Sequence, residues 1–217
     1  MAFFRRAART RAEVIAAADD ARARGRIRKA VQGYDEALRG DPADASVNLR
    51  IAPLLAKLGD VERSAQCFRR AAAAHAEKGF TDRASGVCAA AVATFPLDAG
   101  FRLEAARLEL VRGRRQDAVN GLVDGGRALA RARRRDAAVS LLRRALEIEP
   151  QHLEAVLALA PALAASGARD EGLALLERLE RTARGRALAR VRWVKLRLAP
   201  SPGALWRWLR AALARGR

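Results

Sequence analysis

The stretch AVSLLRRALEIEPQHLEAVLALA, residues 138–160, decides the fold. One apolar run closes at Ala145, Pro150 breaks the chain, and a second run carries Leu157 and Ala160. The same skeleton stands 54 residues earlier as Ala84, Ala91, Pro96, Leu103 and Ala106. It stands a further 54 residues back as Ala30, Ala37, Pro42, Leu49 and Ala52. Gly59, Gly113 and Gly167 keep the same step, and Pro53 and Pro161 stand two steps apart. So many residue types in one register indicate an internal repeat, even in an Ala-rich chain.

Each residue type has a physical role at its place. The glycines fall where one helical pattern stops and the next begins, where a left-handed cap is needed. The prolines follow helix ends and cannot continue them. Alanines seven residues apart share one helix face, and their size lets a neighbouring helix approach closely. Apolar periodicity outward from these marks predicts helices near 8–23, 26–40, 44–57, 60–77, 80–95, 98–112, 114–131, 134–148, 152–166, 169–182, 186–198 and 203–214. Pro53 and Pro161 fall inside two of them, so a kink or a shifted start is expected there. Ala and Leu supply most of the apolar residues and aromatics are only 5%, a palette for packed helices rather than sheets.

The pattern resembles the tetratricopeptide repeat family, whose unit of about 34 residues is a helix–turn–helix. Residues 11–44 place Ala18, Gly25, Ala30, Tyr34, Ala37 and Pro42 where that family carries small residues, a turn Gly, an aromatic and a closing Pro. Residues 45–78 supply Ala52, Gly59, Phe68 and Ala71, with Ala76 in place of the closing Pro. Residues 65–98 match again with Gly79, Ala84, Ala91 and Pro96, and Cys88 in place of an aromatic. The overlap of these units gives the long step: one helix ends a hairpin and begins the next. The arrangement recurs at 99–132 and 119–152, and more weakly from 153; the likeness covers about residues 11–183. It implies an all-α, right-handed α-solenoid of antiparallel helix hairpins, about twelve helices in all. No linker divides the chain, so a single domain over 1–217 is expected, with repeats over 11–186 and basic capping helices over 187–217.

The formal net charge is +18, from 42 basic and 24 acidic residues. It sits at the ends: residues 1–29 carry nine basic and three acidic groups, and residues 181–217 carry eleven basic and none acidic. Heavy use of Arg beside Ala is also what a GC-rich coding sequence produces. The C-terminal patch consists of Arg190, Arg192, Lys195, Arg197, Trp206, Arg207 and Arg210. On a helix, Leu205, Trp208, Leu209, Ala212 and Leu213 would share an apolar face. That end reads as a cap over the last repeat, as a dock for an acidic partner or polyanion, or as a basic amphipathic helix on a membrane surface. The cluster Arg131, Arg133, Arg134, Arg135 falls at a turn, where positive charge complements a helix C-terminus.

No catalytic constellation is visible. His75 and His152 have no second His or Cys at ligand spacing and read as packing or surface residues. Cys67 and Cys88 read as buried, reduced small hydrophobes. Gly121, Gly125 and Gly126 lack the Lys and spacing of a phosphate loop and read as positions that permit close helix contact or weaken the helix. The chain shows no secretory signal and no membrane span, so the cytoplasm is the expected compartment. The expectation is a scaffold without enzymatic activity or cofactor. The family resemblance implies a groove that holds another protein's peptide or helix, an acidic partner included, with Leu49, Arg69, Leu103, Arg107, Arg127 and Leu157 as candidate lining. The alternative is a polyanion, nucleic acid or an acidic membrane surface, held by the basic termini.

Overall fold

A computed structural model describes residues 9–213. Among the described residues, all regular structure is helical. The helices are α1 (Arg11–Ala23), α2 (Ile27–Gly40), α3 (Ala45–Lys57), α4 (Val61–Glu77), α5 (Thr81–Thr94), α6 (Ala99–Val111), α7 (Arg115–Arg131), α8 (Arg135–Ile148), α9 (Leu153–Ala165), α10 (Arg169–Thr182), α11 (Gly185–Leu198) and α12 (Pro202–Leu213). Each matches a helix expected from the sequence. The largest shift is at the first, which starts at Arg11 because Thr10 and Glu13 form a reciprocal capping box. The helices do not break at Pro53 or Pro161, which lie inside continuous α3 and α9. The chain separates between Phe95 and Pro96 into two compact units.

In the first unit, each helix packs on its successor, and α4 lies against both α3 and α5. That is the shared helix the overlapping repeats require. The core is built on Tyr34, Ile51, Leu55 and Phe68, all fully buried, with Ala30, Ala37 and Ala52 at the small positions between helices. Phe68 meets Phe95 edge-on, with ring centroids 6.2 Å apart. Tyr34 carries its hydroxyl into this core and donates it to Asp19 at 2.5 Å, while Asp19 also accepts from Arg50 at 2.6 Å. Burial, followed by the Asp19 hydrogen bond, pushes the Tyr34 phenol up to about 12. The trio fastens α1, α2 and α3 together. Cys67 and Cys88 are buried as free thiols, and burial raises Cys67 above the usual thiol range.

In the second unit, α7 lies against both α6 and α8, repeating the shared-helix arrangement. From there the helices alternate: α7 touches α9, and α9 touches α11. Leu122, Leu129, Leu141, Leu142, Leu159 and Leu163 fill the centre. The repeat alanines Ala84, Ala91, Ala106, Ala138, Ala145 and Ala160 are all at most 5% exposed, which confirms their small-contact role in both units. Gly125 and Gly126 serve the same purpose: a Cβ on Gly126 would lie 2.5 Å from Leu142, and one on Gly125 2.9 Å from Leu141.

Two further periodic features emerge in three dimensions. Asp44, Asp98 and His152 keep the 54-residue step and cap α3, α6 and α9, accepting from Val47, Phe101 and Ala155 backbone N–H groups. His152 is therefore a capping residue, which the lack of metal-ligand spacing alone did not reveal. Arg115 and Arg169, also one step apart, open α7 and α10 and donate to the last carbonyls of α8 and α11, at Ile148 and Leu198. Those carbonyls have no intrahelical partner, so each arginine closes the end of a neighbouring helix.

The apolar face expected on α12 is only partly covered. Ala204 and Ala211 are buried, and Trp208 tilts against Trp193 of α11 with ring centroids 5.1 Å apart. The small alanines let α12 approach α11 closely, which turns Leu205 and Leu213 outward, 45% and 78% exposed.

Candidate partner-binding face

The second unit places α7, α9 and α11 side by side, and one acidic residue ties them. His152 caps α9 and sets Glu154 in its first turn, where a negative charge complements the helix dipole. Glu154 accepts hydrogen bonds from Arg127 of α7 and from both terminal nitrogens of Arg190 of α11. Hydrogen bonding from Arg190 holds the Glu154 carboxyl down at about 2; burial opposes this, and the Arg127 hydrogen bond reinforces it. Arg190 is raised in turn by its hydrogen bond to Glu154. One carboxylate between two guanidiniums leaves the ladder with excess positive charge.

Along α11 the spacing of Arg186, Arg190, Trp193 and Arg197 puts all four on one helix face. All are exposed. Neither Arg186 nor Arg197 has an acidic partner among the described residues. The opposite flank of α11 is internally neutralised. Arg192 pairs with Glu180 at 2.8 Å, and Lys195 with Glu177 at 3.0 Å and Glu180 at 3.2 Å. Burial favours a protonated Glu180, yet the hydrogen bonds from Arg192 and Lys195 hold it below the ordinary carboxylate range.

The sequence-derived candidates therefore separate. Arg127 and Arg190 come together through Glu154. Arg190, Arg192 and Lys195 fasten α11 to α9 and α10, whereas Arg197, Arg207 and Arg210 stay exposed. Trp206 is 60% exposed, with the Arg210 guanidinium 5.9 Å from its ring centroid. Leu103 and Arg107 lie exposed on α6, where Arg107 grips Glu104 with two nitrogens. Leu157 is a core residue, packed with Leu176 and Val191. Leu49, half-buried on α3, and Arg69, exposed on α4, belong to the first unit. Glu154 escaped sequence reading because its partners lie 27 and 36 residues away, beyond any local pattern. Among the described residues, no group of three His, Cys, Asp or Glu side chains could hold a metal ion. No helix among them is long and apolar enough to cross a membrane.

Residues 129–192, the end of α7 through most of α11, match the tetratricopeptide repeat family. This segment resembles a tetratricopeptide repeat. Sequence comparison with curated proteins finds no match. Among solved structures, a tetratricopeptide repeat protein from Parabacteroides merdae is 13% identical, covering 95% of this chain and 93% of its own, with a TM-score of 0.34. A thermophilic tetratricopeptide repeat protein from Thermus thermophilus is 20% identical over 94% of this chain and all of its own, with a TM-score of 0.28. The pilF structure from Pseudomonas aeruginosa is 14% identical over 94% and 89%, with a TM-score of 0.33.

Proposed function

We propose that the chain is a non-enzymatic protein-interaction module whose second unit holds an acidic segment of a partner protein along α7, α9 and α11. The observation that carries this reading is the Arg127–Glu154–Arg190 ladder, which braces three tetratricopeptide helices beside an exposed stripe of Arg186, Trp193 and Arg197. Bracing removes the cost of ordering the helices when a partner binds. The unneutralised arginines offer planar, bidentate recognition of carboxylates, and Trp193 adds an apolar anchor.

The test is crosslinked affinity capture from the native cell, comparing the wild-type chain with two variants. Arg186→Glu/Arg197→Glu is expected to lose the captured protein, and Arg69→Glu, in the first unit, to retain it. Undiminished capture by the double charge reversal would sink this assignment; loss with Arg69→Glu alone would move the binding face to the first unit.

A further inference from the structure

We infer that α12 is a docking element for the surface of an anionic lipid bilayer. The helix is mounted with its small side inward: Ala204 and Ala211 are buried, and Trp208 rests on Trp193. Three of its five large apolar side chains point out, while Trp208 and Leu209 are half-buried. Leu205, Trp206 and Leu213 are 45%, 60% and 78% exposed, and their spacing of one, seven and eight residues sets them on one side of the helix. A helix that merely sealed the last repeat would bury these residues and expose its alanines.

The charge around this ridge selects the occupant. Residues 181–217 hold eleven basic residues and no acidic one. Arg207 and Arg210 flank the ridge, exposed and without an acidic partner among the described residues. A second copy meeting the same ridge would bring the exposed Arg207 and Arg210 of both copies together, which is repulsive. Nucleic acid would satisfy the arginines but would leave Leu205 and Leu213 in water. A peptide is recognised in a groove with walls, whereas these side chains stand out from a helix whose packing partner is α11. A bilayer with anionic headgroups answers both features: leucines enter the acyl boundary, Trp206 sits at headgroup level, and the arginines meet lipid phosphates. This site uses other residues than the α7–α9–α11 face and borders it at Trp193.

The chain reports on its own docking. Its three tryptophans are Trp193, Trp206 and Trp208, so intrinsic fluorescence reads α11 and α12, with Trp206 on the ridge itself. The full chain should be titrated with vesicles of phosphatidylcholine alone and of a three-to-one mixture with phosphatidylglycerol. A blue-shifted emission and co-sedimentation are expected with the anionic vesicles and not with the neutral ones. Leu205→Ser/Trp206→Ser/Leu213→Ser and Arg207→Glu/Arg210→Glu should each weaken co-sedimentation by about tenfold or more. All five positions are exposed, and unchanged melting curves will show that the variants fold. Failure to bind anionic vesicles at low salt overturns the inference. So does binding that survives the triple Ser variant, which would reduce the site to bare charge. Two other results overturn it as well: a labelled oligonucleotide bound where vesicles are not, or a dimer in light scattering that the triple Ser variant dissociates.

Discussion

At the residue scale, the 54-residue repeat shows which positions obey its rule and which strain against it. Gly25 and Gly79 end their helices with φ of +69° and +75°, and one step later the same left-handed place is held by Arg133, with φ of +59°. The hydrogen bonds are kept as well: Gly25 and Arg133 donate to Arg22 and Ala130, while Arg26 and Arg134 donate to Ala21 and Leu129. The fold therefore demands the conformation and Arg133 supplies it at a steric cost that Gly avoids. Arg133→Gly is expected to raise stability by about 0.5–1 kcal/mol, after the greater freedom of Gly in the unfolded chain is deducted. A higher melting temperature checks it; an unchanged or lower one refutes it. The opposite sign holds at Gly172. The repeat places Ser64, Ala118 and Gly172 against Ala52, Ala106 and Ala160, and a Cβ on Gly172 would stand 2.7 Å from the Ala160 carbonyl oxygen. Backbone cannot swing aside as a side chain can. Gly172→Ala should cost about 1–2 kcal/mol, because overpacking outweighs the helix propensity gained. Equal denaturation midpoints for variant and wild type would show that α9 and α10 separate freely.

At the element scale, α11 is held by ion pairs as well as by the apolar contacts of Leu188, Val191, Val194 and Leu198. Only Ala189 and Val191 are fully buried along its length, whereas Arg190, Arg192 and Lys195 reach Glu154, Glu177 and Glu180. The sign of the pH effect follows from Glu154. Its carboxyl lies near 2 in the folded chain against an ordinary value of 4.5, so its contribution is complete above about pH 4.5 and fades as the pH falls toward 2. The pair is partly exposed, so salt should also erode it. Glu154→Gln is expected to lower the amide protection factors of α11 at neutral pH and to flatten their change across that acid window. Wild-type protection factors in α11 that stay constant between pH 5 and 2, once the intrinsic pH dependence of exchange is divided out, would rule out the brace. The sequence could not foresee this element's chemistry. Arg190, Arg192 and Lys195 read as one basic patch because a linear charge count cannot see that α10 and α9 present carboxylates to two flanks of α11. Leu157 misleads for a related reason: it shares a repeat position with Leu49 and Leu103, yet in the third copy Leu176 and Val191 close over it.

At the scale of the whole molecule, what was legible is what repeats. The alanine contacts, the left-handed glycines and the helix count follow from short-range rules that recur in register, so errors in one copy are corrected by the others. Contacts that join distant segments once only, such as Tyr34–Asp19–Arg50 or Trp193–Trp208, leave no periodic trace and became visible only in the fold. The boundary at Phe95 and Pro96 belongs to this second kind. Pro96 reads as one more repeat mark beside Pro42 and Pro150, although the compact units part there. Helical repeat proteins are stabilised by neighbour contacts, and the second unit contains complete hairpins with their own leucine core. Residues 96–217, expressed alone, are therefore expected to keep their helical circular dichroism and to melt cooperatively. The core of that unit also predicts where the fragment fails: Gly126→Leu would force a large side chain into space held by Leu142, and should abolish the cooperative transition in the fragment. A fragment that is unfolded without the Gly126 change would show that the second unit draws its stability from the residues before Pro96.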